Sequence, residues 1–157
     1  MSSYNIVENE LIESEATYVN ELSVLISTYV EPLEKYVAHI RRIWDGDSKY
    51  LQNPQHSSPL LLLEQILFDE HIDVTTALFA NIKAIHTCNS ILLSAMKDSA
   101  SPTTITPTTS LNGSGNSFPA VAVLLKHMPF IKIYANYAAN FEYSNALLTR
   151  LEKGDAR

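Results

Sequence analysis

The chain has 157 residues, 46% of them hydrophobic and 18% charged, which suits one globular domain whose core needs neither a disulfide nor a structural metal. Eleven Lys and Arg against 17 Asp and Glu give a formal net charge of -6, which argues against a nucleic-acid or anionic-lipid binding face and is most simply read as solubility. Cys88 is the sole cysteine, no basic-then-apolar leader opens the chain, and no apolar run approaches the roughly 18 residues of a membrane span, so a cytoplasmic protein without direct membrane insertion is expected.

Only 4 Gly occur, and most of the 7 Pro sit in loop-like segments, so long helices can run between them. Val7, Leu11, Tyr18, Leu22, Leu25, Tyr29 and Leu33 recur at helical spacing. Ile12, Val19, Ile26, Val30 and Val37 form a second stripe about 100° round. Together they predict one amphipathic helix over Asn5 to Val37, which Pro32 should kink or interrupt near Tyr29 to Glu31. Residues 45–60 collect turn formers and read as a connection, with a short helix over Leu60 to Leu67 after it. A second long helix is predicted from Asp69 to Lys97 on the spacing of Ile72, Leu78, Phe79, Ile82, Ile85, Leu92 and Met96, with Asp69 or Asp73 as its N-cap. Residues 98–117 are rich in Ser, Thr, Pro and Gly and read as a flexible insert. Phe118 to His127 forms a short helix with Pro119 in its first turn. Pro129 opens another, whose apolar stripe is Phe130, Ile133, Tyr134, Tyr137, Phe141, Leu148 and Leu151. No segment alternates as a strand would, so the predicted class is all-α.

The sequence offers little to covalent or metal chemistry. His39, His56, His71, His86 and His127 form no i, i+4 pair and have no Cys at ligand spacing. Asp45-Gly46-Asp47 hints at a calcium loop, but its twelfth position is His56 where a bidentate Glu is required, so it reads as a turn. No phosphate-binding glycine loop or nucleophile elbow is present. No cofactor, metal or catalytic residue is expected. Ser58, Ser101 and Thr106 each precede Pro and are phosphorylation candidates of the kind any polar linker carries.

The acids of the first helix are more informative. At about 100° per residue, Glu15 falls between the two apolar stripes, where a carboxylate needs a cation or several donors. A structural ion pair with an Arg or Lys elsewhere is therefore expected for Glu15. Glu10 falls near the edge of the buried arc and is free to project outward. That placement is what a protein-binding carboxylate needs, although most charges on a helix face only meet water.

The string Ile6-Val7-Glu8-Asn9-Glu10-Leu11-Ile12-Glu13-Ser14-Glu15-Ala16-Thr17-Tyr18-Val19-Asn20-Glu21-Leu22 resembles the first signature region of Dbl-homology domains: Glu-Leu, then Thr/Ser-Glu, then an aromatic and a leucine. Tyr29-x-x-Pro32-Leu33 is similar to the end of that helix in the family. Leu78-Phe79-Ala80-Asn81-Ile82 with Ile85 and Leu92-Leu93 resembles a later helix. Tyr134-x-x-Tyr137-x-x-Asn140 and Leu148-x-x-Leu151 resemble the one after that.

The resemblance implies an elongated helical bundle that acts as a guanine-nucleotide exchange factor on Rho-family small GTPases. It would bind the switch regions and release magnesium and GDP without covalent chemistry. By position, Glu10 takes the role of the switch I contact and Glu15 an architectural one. A further long helix with a Gln-Arg-x-x-Arg-Tyr-like motif does not occur in the sequence. The expectation is thus a partial domain over 1–157, truncated before the last long helices, with little exchange from these residues alone. The alternative is a non-catalytic helical interaction module that self-associates through exposed apolar helix faces.

Overall fold

The structure, a computed structural model, describes residues 3–46, 73–100 and 119–153. Every element among them is helical: α1 (Ser3–Leu25), a π-helical turn (Ile26–Val30), α2 (Glu31–Gly46), α3 (Val74–Phe79), α4 (Ile82–Ala100), α5 (Pro119–His127), a 3-10 turn (Met128–Lys132) and α6 (Ile133–Lys153). The all-α expectation is borne out. The connection over 45–60 lies outside the described residues from 47 onward, as does all of the Leu60 to Leu67 helix.

The opening helix is longer than its apolar spacing indicates, and Pro32 does not interrupt it. The disturbance sits a turn earlier, at Ile26–Val30, where the Glu31 N–H bonds back to the Ile26 carbonyl five residues before it. Pro32 has no N–H to offer Thr28, and its ring crowds that carbonyl. One widened turn accommodates both defects and lets α2 continue.

Of the two expected caps of the second predicted helix, Asp73 is observed, while Asp69 lies outside the described residues. The Asp73 carboxylate accepts from the Thr75 N–H at 3.2 Å and from the Thr76 hydroxyl at 2.9 Å. That helix is not continuous, however. It stops at Phe79, and Ala80 takes φ 48°, ψ -126° before α4 starts at Ile82. An L-residue rarely tolerates this region. The freed carbonyls explain why the break persists: Asn140 Nδ2 donates to the Ala77 oxygen at 2.8 Å and Ser144 Oγ to the Leu78 oxygen at 2.7 Å. Two α6 side chains one helical turn apart thus take the place of the backbone donors that a continuous helix would supply.

The first three residues of the insert predicted from residue 98, Asp98, Ser99 and Ala100, complete α4 instead. Nothing before Pro102 disfavours helix there, and Ser99 Oγ donates to the Met96 carbonyl at 2.8 Å. The remainder of the insert lies outside the described residues.

The chain divides into two compact units, Met1–Val24 with Lys83–Ile133, and Leu25–Ile82 with Tyr134–Arg157. In the first, Leu92, Met96 and Ala120 form the buried centre, with Leu11, Ile12, Val123 and Leu124 packed against them. In the second, Val37, Val74, Ala77 and Leu147 are buried together, joined by Leu33, Tyr36, Leu78 and Leu151. Each core rests on apolar burial at roughly 25 cal/mol per Å².

Candidate functional site

Three glutamates within one stretch of α1 meet three different fates. Glu10 is exposed, and among the described residues nothing bonds its carboxylate. Glu13, Ser14, Thr17, Glu21 and Val24 are exposed with it. At 3.6 residues per turn these positions form one solvent stripe, and Glu10 and Glu21 lie about 16 Å apart along the axis. The stripe is held rigidly, since Leu11 and Ile12 on the other side of α1 pack on the Leu92–Met96–Ala120 core.

Glu8 and Glu15 point away from that stripe. Glu8 Oε1 accepts the Ala120 N–H at 2.7 Å, at the second residue of α5. Pro119 ahead of it has no N–H, so this carboxylate satisfies an otherwise orphaned donor and sits favourably at the positive end of the α5 dipole. Glu15 is half-buried, and its Oε1 is enclosed without a hydrogen-bond partner. Burial raises its pKa above the ordinary carboxylate value. Among the described residues, no cation of the kind expected for Glu15 meets it.

A second tie holds α1 in the same unit. Ser23 Oγ donates to the Val19 carbonyl at 2.9 Å and lies 2.8 Å from His86 Nε2 on α4. With the hydroxyl proton directed to Val19, Ser23 Oγ is free to accept from a His86 Nε2–H, and in the other tautomer Ser23 donates to His86 instead. In the other unit, an open groove of about 400 Å³ lies at the α3–α4 break, lined by Thr76, Ala80, Asn81, Asn136, Ala139 and Asn140. Its walls are small or carry carboxamides. Among the described residues no group of three or more His, Cys, Asp or Glu is placed to hold a metal ion, and no helix is long and apolar enough to cross a membrane.

A family model described as the RhoGEF domain matches residues 7–157. The chain belongs to the RhoGEF domain family. No curated protein and no solved structure matches it. The match begins at Val7, so this RhoGEF domain includes within it the whole exposed stripe of α1, both inward glutamates and the α3–α6 hydrogen bonds. Membership gives it the general function of an exchange factor with a small GTPase as partner.

Of the two residues singled out in the sequence of this RhoGEF domain, Glu10 lies on the outward stripe and Glu15 on the inward side. Glu8 escaped the sequence reading, yet the signal was available. It precedes Glu15 by seven residues, two helical turns, so an inward Glu15 places Glu8 on the same face. Asn140 was visible only as one position of a motif, and its bond to Ala77 follows from the break at Ala80, which no Gly or Pro announces.

Proposed function

We propose that this RhoGEF domain promotes GDP release from a Rho-family GTPase by engaging the switch regions with the exposed stripe of α1, Glu10 being the contact carboxylate. The observation that supports this reading is the exposure of Glu10 on a helix fixed from behind by the core, with no intramolecular bond among the described residues to compete for it. An ionised carboxylate presented in this way recognises hydroxyl, amide or cationic donors on a partner surface, and such charge-assisted bonds rank among the stronger ones.

Exchange of this kind needs no bond chemistry. A protein that binds the nucleotide-depleted GTPase more tightly than the loaded form must weaken nucleotide binding by the same factor. The contact residue therefore contributes to release to the extent that its bond is formed only in the depleted state. The test is the affinity of the chain for nucleotide-depleted Rho-family GTPases, measured beside that of Glu10→Ala. Loss of one charge-assisted bond weakens binding by about tenfold or more, while the thermal midpoint stays unchanged. An equal affinity in the variant rejects Glu10 as the contact.

One observation favours a second reading, a helical interaction module. Tyr137, Phe141 and Leu148 on α6 are exposed, and such a face favours association. Sedimentation that shows a defined oligomer, together with no affinity for any Rho-family GTPase, would select the module.

A further inference from the structure

The 3-10 turn Met128–Lys132 buries none of its residues. Leu125 just ahead of it is 64% exposed, and Met128, Phe130 and Ile131 are also exposed large hydrophobics. With three residues per turn, Met128 and Ile131 lie on one side, Phe130 on the second, and Pro129 with Lys132 on the third. All three sides face outward, so this is a convex apolar knob rather than a flat face. A rigid partner covers one side of such a knob, whereas a fluid bilayer closes around it.

Charge points the same way. The chain as a whole is acidic, yet no Asp or Glu occurs between Asp98 and Glu142, and the only formal charges in that interval are Lys126 and Lys132, which bracket the turn. Both lysines are exposed. His127, between them, donates from Nδ1–H to the Val123 carbonyl at 2.9 Å, and its ring lies near Phe130. We infer that the knob formed by Leu125, Met128, Phe130 and Ile131 is a peripheral docking site for an anionic lipid bilayer, with Lys126 and Lys132 reaching the phosphate headgroups. Apolar side chains enter the boundary between headgroups and acyl chains, and flanking lysines extend to the anionic surface. The acidity of the whole chain, which argues against such a face, does not extend to this segment.

The full chain is to be sedimented with vesicles of equimolar phosphatidylserine and phosphatidylcholine and with vesicles of phosphatidylcholine alone, alongside a Phe130→Ser/Ile131→Ser variant and a Lys126→Gln/Lys132→Gln variant. Circular dichroism should show both variants folded, since every altered side chain is exposed. The unmodified chain is expected to bind the serine-containing vesicles and not the neutral ones. The lysine variant should lose roughly thirtyfold in partition, and the Phe130/Ile131 variant should not bind. No binding to serine-containing vesicles overturns the proposal, as does binding that both variants retain. A lipid-free self-association that the Phe130/Ile131 variant abolishes also overturns it, assigning the knob to a second copy of the chain.

Discussion

Helices α1 and α6 both carry a regular apolar stripe, yet they use it in opposite ways. In the first, Leu22 is buried, as are Ile26 and Val30 of the second stripe in the π turn, and only Val7 and Tyr29 of the first stripe are exposed. In α6 three members of the predicted stripe, Tyr137, Phe141 and Leu148, are exposed, while another, Leu151, lies inward with Asn140, Ser144 and Leu147. Those four recur at helical spacing as regularly as the apolar set does. The rotation of α6 and the break at Ala80 support one another: two carbonyls of α3 find donors on α6, and an unmade bond to a buried backbone group costs about as much as one apolar side chain contributes. Periodicity thus identifies a helix, while polar satisfaction helps to decide which face turns inward.

The largest expected effect comes from adjacent leucines that lie on either side of that division. Leu147 is 2% exposed and Leu148 43%. Leu147→Ala should destabilise by about 2–5 kcal/mol and Leu148→Ala by about 1 kcal/mol or less, as read from urea midpoints. Equal effects would contradict this rotation of α6. Asn140→Ala follows, at about 1–3 kcal/mol, because it removes the donor to the Ala77 carbonyl. Hydrogen exchange in α3 should accelerate in the same variant. A smaller change of opposite sign is expected at the break: Ala80→Gly relieves a positive φ and raises stability by about 1 kcal/mol. A drop in thermal midpoint would show that Ala80 is not strained.

The smallest effect concerns the acid buried in α1. Burial raises the folded-state pKa of Glu15 above 4.5. Its stabilising contribution is therefore fully present below the unfolded pKa and lost as pH rises through the folded value. Glu15→Gln should raise the urea midpoint at neutral pH and leave it little changed in acid. A structural ion pair predicts the reverse, a variant weakened at neutral pH, so one pair of titrations separates the two accounts.

Much of the fold was legible in the sequence because long periodic segments constrain it strongly. The opening helix, the Asp73 cap, the short helix at Pro119 and the all-α class all follow from apolar spacing and cap chemistry. Three features were not fully legible. Pro32 disturbs the helix near Tyr29 as its position predicts, but the form of the disturbance, a widened turn over Ile26–Val30 with the helix continuing beyond it, was not legible. Asp69 to Lys97 did not remain one helix, since Ala80 carries no local signal for its conformation and the compensating donors lie some 60 positions away, at separations of 63 and 66 residues. Glu8 became a cap for α5 through a contact 112 residues distant in sequence. At the site itself, helical geometry sufficed to separate outward Glu10 from inward Glu15, whereas family resemblance alone supplied what Glu10 faces.

The proposed role of the α1 stripe is tested most directly by binding of the full chain to Rho-family GTPases held nucleotide-depleted and GDP-loaded, with Glu10→Ala in parallel. The account predicts preference for the depleted form of at least one GTPase and a weakening of about tenfold or more in the variant. Binding that ignores nucleotide state, or that Glu10→Ala leaves unchanged, would contradict it.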